Sequence, residues 1–330
     1  MGRRSFGLLL LLVVLVAVAL VSIAVGSKEI PLSGIWHGLF TPTGAEDDVV
    51  VRELRIPRTL LGIAVGIALG VGGALMQGHT RNPLADPGIL GVTHGAALAV
   101  VGSIFLLGVS SLVGYIWFAF AGAMIASVAV FLLGSAGRGG PSPVTLALAG
   151  AAVSALMNGL VSAIVLLDQQ SLDAFRFWQV GAIAGRDLAV LTQVLPFLVA
   201  GLVVAAFNAP GLNALSLGED VARSLGVNVS RTRSLGVLAI TLLVGGAVAA
   251  CGPIGFLGLV VPHVARAFTG PDYRWILPYS ALLGAVLILV ADVIGRVVAR
   301  PSEVEVGVML ALLGAPFFIF LVRRKRLVKI

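Results

Sequence analysis

Long apolar segments separated by short polar ones run through almost the whole chain. Stretches of roughly 20 apolar residues can cross a bilayer as α-helices. Ten windows reach or nearly reach this length: residues 8–26, 59–77, 93–107, 115–134, 144–167, 188–207, 234–250, 255–268, 275–295 and 305–322. The 93–107 and 255–268 windows are the shortest. The pattern therefore predicts an all-α polytopic membrane protein, with ten transmembrane helices in a single domain over residues 1–330.

A polar segment, residues 215–227, separates the sixth and seventh windows. Ser216 and Glu219 have the spacing of a capping box, and Gly226 suits the left-handed position that follows a helix. Apolar side chains recur every four residues at Leu217, Val221 and Leu225. This periodicity makes one narrow helix face apolar. The segment predicts a short amphipathic helix that lies outside the bilayer and is presented to another protein.

The composition indicates whether the chain folds in water or in a membrane. Hydrophobic residues make up 58% of the chain, charged residues 11%, and the mean hydropathy is +1.08. Soluble domains carry about 25% charged residues, so a soluble globule is excluded. Basic residues concentrate at positions 3–4, 223–233 and 323–329. By the positive-inside rule, this distribution predicts a multi-pass protein of the bacterial cell membrane, in contact with lipid, with both termini cytoplasmic.

The net charge of +7 therefore reflects membrane topology, and we expect no nucleic-acid partner. An apolar run of about 19 residues follows Arg3 and Arg4, longer than the usual core of a signal peptide. We expect this first helix to be retained in the mature protein.

Nothing in the sequence provides for ATP hydrolysis by this chain. The lysines are Lys28, Lys325 and Lys329, and none follows a glycine-rich phosphate-binding loop. Asp292 is the acid that lies within a predicted span, four residues before Arg296, the order that favours a helical ion pair. A carrier coupled to protons or sodium would keep ionisable groups near mid-membrane. The chain is thus predicted to be no enzyme and to draw energy from a separate subunit; a secondary carrier or channel is the alternative.

Metal chemistry has little support in the sequence. The four histidines lie in different segments, none paired with another at ligand spacing on one helix, and Cys251 is the single cysteine. We therefore predict no metal site, no catalytic residues and no cofactor bound by this chain.

A faint internal repeat relates the two halves of the chain. Arg58, Thr59 and residues 72–74 recur at the same spacing as Arg231, Thr232 and residues 245–247. In a ten-span topology these two helices run in opposite directions. The repeat predicts inverted halves, helices 2–5 and 7–10, as in many transporters.

Six segments, 54–60, 81–91, 217–226, 252–266, 291–296 and 314–318, together resemble signatures of the FecCD-type permeases. These are membrane subunits of ABC importers for ferric siderophores, haem and cobalamin. The resemblance implies a ten-helix subunit that pairs with a second permease subunit, identical or a close paralogue. It also implies two ATPase subunits that bind ATP and Mg²⁺, and a periplasmic or lipid-anchored solute-binding protein. Ferric siderophore is the expected cargo; haem and cobalamin are alternatives.

The same resemblance implies roles for particular residues. Within residues 208–233, the cytoplasmic segment between helices 6 and 7, a coupling helix would contact the ATPase through Leu217, Gly218, Glu219, Asp220, Val221, Arg223, Leu225 and Gly226. Arg55, Arg58 and Arg296 match arginines that dock the binding protein. Ordinary interfacial arginines, or an intrachain pair of Arg296 with Asp292, are the alternatives for them.

Asn82 and Leu84, with Pro143 and Val144 at the start of the fifth span, match cytoplasmic constrictions of the pathway. An Asx turn would explain Asn82 equally well. Along the fifth span, polar side chains recur every four residues at Ser154, Asn158 and Ser162. This stripe predicts a pathway lining or, alternatively, polar contacts that hold helices together.

Overall fold

The computed structural model describes residues 2–109, 111–136 and 142–323, and the regular structure among them is helical. The helices are α1 (Arg3–Ala24), α2 (Leu32–Phe40), α3 (Glu46–Val49), α4 (Ile56–Thr80), α5 (Val92–Leu107), α6 (Leu112–Ser135), α7 (Pro143–Leu167), α8 (Gln169–Val180), α9 (Leu188–Ser216), α10 (Glu219–Ser224), α11 (Val229–Cys251), α12 (Leu257–Thr269), α13 (Tyr273–Val298) and α14 (Val306–Arg323). A π-helical turn (Val50–Arg55) joins α3 to α4, and a 3₁₀ turn (Pro87–Leu90) precedes α5. The basic residues predicted to be cytoplasmic at 324–329 lie outside the described residues.

Each predicted window falls on a helix, but the helices differ in length. Among the described residues, seven helical segments are long and apolar enough to cross a membrane: α1, the continuous run Glu46–Thr80, α6, α7, α9, α11 and α13. The apolar helices α5, α12 and α14 are shorter. The segments before α5 and α12 reach into the bundle, where a Cβ at Gly258 would lie 3.4 Å from Pro87 Cδ. Non-helical backbone is tolerated at membrane depth where protein covers it or it lines a cavity.

Helix α4 forms the centre of the bundle. Most of its residues are buried, and it packs against α9, α11, α12 and α13. Glycines let the backbones approach closely: a Cβ at Gly66 would lie 2.6 Å from Ala285 Cα, and a Cβ at Gly73 would overlap the carbonyl oxygen of Gly258. Small residues serve this purpose in membrane bundles because lipid offers no hydrophobic force between helices.

Helix α1 lies along α13. The hydroxyl of Tyr279 donates to the carbonyl of Arg4 (2.7 Å), and Gly7 contacts the same tyrosine. At the other end of α1, Arg296 donates to the carbonyls of Ser22 and Val25, both at 2.9 Å. The predicted first helix is therefore an integral part of this bundle.

The bundle has two ends, which we name by the short helices they carry. The start of α1, the ends of α4 and α12, and α10 form the α10 end, where the side chains of Asn208 and His79 are hydrogen-bonded at 3.0 Å. The end of α1, α2, α3 and residues 299–305 form the α2 end, where Arg300 donates to Glu29 (2.7 Å). The candidate functional groups divide between these ends and a cavity between them.

The close approach at Gly73 predicts that one added methyl group at this position lowers the stability of the protein. Because the added carbon of Gly73→Ala would overlap backbone, we expect destabilisation of about 1–3 kcal/mol, as for other overpacked cores. Gly102→Ala is the control, since a Cβ there meets nothing within 4 Å. Melting temperatures of the purified proteins should fall by several degrees for Gly73→Ala only; equal melting of the two variants would contradict this packing.

Candidate functional site

The short helix α10 is fixed by its backbone geometry. Its N-cap is Gly218, at φ +109°, a conformation that favours glycine. At its C-terminus, the N–H of Gly226 (φ +79°) donates to the carbonyl of Arg223 and the N–H of Val227 to that of Ala222. These two bonds form a Schellman motif, which confirms the predicted left-handed Gly226.

The predicted capping box at Ser216 is wrong. Ser216 is the last residue of α9, and its hydroxyl donates to the carbonyl of Asn213 (2.7 Å). The helix α9 ends nine residues beyond residue 207, the predicted end of the sixth span, so the serine ends one helix instead of preceding another. Gly218 separates α9 from α10, because its backbone conformation is not helical and cannot extend either helix.

One face of α10 is buried and the opposite one is open. Ala222 is fully buried and packs with Leu215 and Val229. The apolar positions with four-residue spacing are exposed instead: Leu217 by 63%, Val221 by 44% and Leu225 by 62%. Val221 lies on α10, and Leu217 and Leu225 flank this helix on its two sides. Because α10 is anchored by its other face, the three exposed aliphatic side chains form a surface suited to another protein.

The charges on α10 have different roles. Glu219 pairs with Arg233 of α11 in a short contact and lies 3.6 Å from Arg223, whereas Asp220 is fully exposed and also 3.6 Å from Arg223. The Arg233 side chain is nearly buried. Charge-assisted bonds of this kind are strong, so Glu219 ties α10 to the bundle. Sequence reasoning missed Arg233, because it lies on a different helix from Glu219 and only the packing of α10 on α11 brings the two together.

At the same end, the turn between α4 and α5 holds the predicted gate residues. The side-chain oxygen of Asn82 accepts from the N–H of Leu84 (3.0 Å), the Asx turn named as an alternative. Asn82 is exposed and Leu84 is half-buried. In the same turn Asp86 accepts from the N–H of Gly88 (2.7 Å). The gate role of Asn82 and Leu84 stays a prediction.

Helix α7 begins where the sequence predicts, at Pro143. Ser142 caps it in a reciprocal box with Thr145, and Val144 is 67% exposed. Further along, Asn158 and Ser162 are exposed and Ser154 is half-buried. The polar stripe is thus largely exposed, which does not favour contacts that hold the helices of this chain together.

A cavity of about 500 Å³ opens beside α7. Its lining includes Asn158, His94 at the start of α5, Trp178 and Gln179 on α8, residues 253–256 and the start of α14. Phe256 adopts φ +64°, a conformation that bulky residues avoid. Strained backbone of this kind collects at functional sites. Sequence reasoning missed Trp178, His94 and Phe256, because distant segments bring them together.

Hydrogen bonds between backbones hold this cavity open. The N–H of Ala182 donates to the carbonyl of Cys251 (2.8 Å), and the N–H of Gly307 donates to that of Gly181 (2.9 Å). The connection after α8 is therefore held between the end of α11 and the start of α14. Buried polar atoms at the wall, Trp178 Nε1 and His94 Nδ1, have no hydrogen-bond partner within the described part of the chain.

At the α2 end, arginines and acids form a buried network. Arg58 donates to both oxygens of Asp292, at 2.6–3.1 Å, and to Glu303 at 2.5 Å. Arg296 lies 2.7 Å from Asp292, which confirms the intrachain pair. Arg55 donates to the carbonyls of Ile23, Ala24 and Lys28. Although burial alone would raise the pKa of Glu303, the hydrogen bond and charge of Arg58 hold it below its ordinary value.

The three arginines predicted to dock a binding protein are thus 2–9% exposed and bonded within the chain. Their docking role stays a prediction. A groove of about 350 Å³ reaches them from the surface, with Lys28, Glu53 and Arg186 also on its walls. The network is therefore reachable from the α2 end, and its cations are committed to internal acids and carbonyls in this conformation.

The described residues contain no group of three or more His, Cys, Asp or Glu that could hold a metal ion. His79 and His94 flank the same turn in sequence, but His79 is hydrogen-bonded to Asn208 and His94 lines the cavity beside α7.

Comparison with known proteins adds an independent line of argument. The family model described as the FecCD transport family matches residues 11–324. The ferric enterobactin transport system permease protein FepD of Escherichia coli is 48% identical, over 97% of this chain and 94% of that protein. The iron(3+)-hydroxamate import system permease protein FhuB of Bacillus subtilis is 41% identical, over 98% and 85%.

A solved structure described as an inward-facing conformation of a metal-chelate type ABC transporter has the same fold. Its TM-score is 0.85 at 30% identity, and the match covers 97% of this chain and 99% of the solved one. The similarity therefore extends over the α10 end, the cavity and the α2 end together.

The buried network predicts that removal of one charge, that of Asp292, strongly lowers the stability of the protein. Asp292→Asn removes the acid that both Arg58 and Arg296 contact, and leaving buried charges unpaired typically costs about 3–5 kcal/mol. Glu29→Gln is the matched control, since Glu29 is exposed and such surface pairs contribute about 0–1 kcal/mol. Thermal unfolding in detergent should show a large loss for Asp292→Asn alone. Similar losses for both variants would contradict the role of the network.

Proposed function

The chain belongs to the FecCD transport family, and from this premise we propose that it is the permease subunit of an ATP-driven importer of a ferric siderophore. It would pair with a second permease subunit, two ATPase subunits that bind ATP and Mg²⁺, and a solute-binding protein on the outer side. The chain itself would catalyse nothing and bind no cofactor. The observation that carries the proposal is the anchored helix α10 with its open apolar ridge, Leu217, Val221 and Leu225.

The topology proposed for this importer has ten membrane helices and both termini in the cytoplasm. The helix packing supports inverted halves: α4 packs on α12 and α13 of the second half, and α11 packs on α5 and α6 of the first. Both α5 and α12 are short and follow segments that enter the bundle. Discontinuous helices at the repeat interface are the usual binding region of such transporters.

In the proposed mechanism, α10 transmits the ATPase motion to the bundle. The apolar ridge would enter a cleft of the ATPase, with Asp220 and Arg223 at the rim to set the register. Glu219 has a second role, since its pair with Arg233 joins α10 to α11. A push on α10 would therefore reach α11, which packs against the central helix α4.

The residues that line the cavity beside α7 are proposed to form part of the wall of the translocation pathway. The open stripe of Ser154, Asn158 and Ser162 supports this role, because polar side chains facing lipid would be costly. A second permease subunit across the stripe would enclose a polar, uncharged passage. Such a wall suits a chelate whose iron is already fully coordinated, since the protein then needs no metal ligands of its own.

Docking of the solute-binding protein is proposed at the α2 end. Acidic side chains of that protein would compete with Asp292 and Glu303 for Arg58 and Arg296 through the groove that leads to them. Bidentate contacts between guanidinium and carboxylate would fix its orientation. Docking and a rearrangement of the buried network would then be one event.

The coupling proposal is tested by making the ridge polar. The triple change Leu217→Ser, Val221→Ser and Leu225→Ser keeps Glu219 and the buried Ala222, so we expect normal insertion. We expect ATPase activity stimulated by loaded binding protein to fall at least tenfold in proteoliposomes, because an interface core loses its apolar contacts. Leu132→Ser, which alters an exposed leucine of α6, is the control and should leave stimulation unchanged. Undiminished stimulation in the triple variant would refute the coupling role.

The cargo is tested separately, with the cognate binding protein. Cells should take up ferric catecholate or hydroxamate siderophores. A Walker-motif lysine variant of the co-expressed ATPase should abolish this uptake. Haem or cobalamin uptake without siderophore uptake would replace the proposed cargo, and uptake that persists with the ATPase variant would indicate a secondary carrier.

A further inference from the structure

A second cavity, of about 600 Å³, lies at the α10 end, away from the pathway. It is formed by the first two turns of α1, the end of α12 and the first turns of α13. Arg3 and Arg4 line it at the start of α1, and apolar residues line it further along the helices. None of the roles proposed above uses this cavity.

Within the described residues, the two arginines at the cavity form no ion pair with an acidic side chain. Both side chains are exposed, and none of the ion pairs within residues 2–109, 111–136 and 142–323 includes either of them. The main chain is held in place, because Tyr279 donates to the carbonyl of Arg4. Asp272, the acid at the start of α13, accepts instead from Asn213 (2.7 Å) and the N–H of Arg274 (3.0 Å). Two cations are thus positioned at an opening without an acid to neutralise them.

The polarity of the lining changes along the membrane normal. Seven residues separate Arg3 from Leu10, which corresponds to about 10 Å along the helix. At the rim Phe6 and Phe268 are 61% and 70% exposed, and on α13 Leu283 lies one turn beyond Tyr279. An occupant must therefore be anionic at one end and apolar at the other, with about 10 Å between the two.

We propose that this cavity binds an anionic phospholipid. Its phosphodiester would lie between Arg3 and Arg4, and an acyl chain would follow Leu10 and Leu283. Guanidinium groups form strong charge-assisted bonds with phosphate oxygens. Basic pockets between membrane helices at the cytoplasmic face are suited to anionic lipid headgroups. A free phosphate would satisfy the arginines but leave the apolar walls uncovered. The proposal requires only that the bundle spans a bilayer, and it depends on neither the cargo nor the ATPase.

The test is lipid binding to purified permease, measured by native mass spectrometry during titration with phosphatidylglycerol or phosphatidylcholine. The variant Arg3→Gln with Arg4→Gln should bind phosphatidylglycerol at least about tenfold more weakly, since each basic residue near a lipid surface contributes about 1 kcal/mol. The matched control is Arg81→Gln with Arg231→Gln, which removes the same charge from exposed arginines elsewhere at the α10 end. It should bind like the unmodified protein. Equal weakening by both pairs would overturn the site.

A second variant tests the cavity without altering charge, because Arg3 and Arg4 also contribute to orientation during membrane insertion. Leu283→Trp would fill the space beneath the arginines, and we expect it to lose phosphatidylglycerol binding to a similar extent. Retained binding in this variant would overturn the proposal. Glycerol 3-phosphate and inorganic phosphate are the competing probes: they should not displace the lipid at millimolar concentration, and displacement would assign the arginines to a soluble anion instead.

Discussion

A hydrocarbon environment offers no hydrogen-bond partners, so polar groups inside this bundle are stabilised by partners within the protein. Arg58 and Arg296 converge on Asp292, and Gln77 accepts from Arg266 (2.6 Å) while donating to the carbonyl of Leu259 (3.1 Å). Apart from the pair of Arg296 with Asp292 inside α13, each of these contacts joins helices that are distant in sequence. The polar groups that are costly to bury alone therefore act as fixed points that set which helices meet and in what register.

The same constraint limits where the backbone can leave the helical conformation. The segments before α5 and α12 enter the bundle because their neighbours cover them, and glycines on α4 give them room. Their entry shortens α5 and α12 and creates a cavity with polar and aromatic walls. The proposed passage for a chelate would thus follow from the way in which irregular backbone is accommodated, and the described residues that line this cavity include no Asp, Glu, Lys or Arg.

The proposed functions divide along the axis of the bundle. At the α10 end, an exposed apolar ridge is fixed to α9 and α11 through Ala222 and the pair of Glu219 with Arg233, so a motion of the partner would be passed to the core. At the α2 end, the buried network lies beneath a groove that another protein could reach. The central helix α4 extends between the two ends, and it carries Arg58 at one end and His79 at the other.

The sequence by itself determined that this is a membrane protein, where its apolar helices lie, which face of α10 is exposed and to which family the chain belongs. These properties depend on hydropathy, local periodicity and short sequence motifs. It also indicated the pair of Asp292 with Arg296, which lies within one helical turn. It did not predict Arg233 opposite Glu219, Glu303 beside Arg58, or the wall of Trp178, His94 and Phe256. Those contacts join residues far apart in the chain, and only tertiary packing decided them, because a side chain in lipid takes whichever partner the neighbouring helices bring within reach. The misplaced cap at Ser216 has the same origin: tertiary packing extended α9, whereas local spacing alone favoured a new helix.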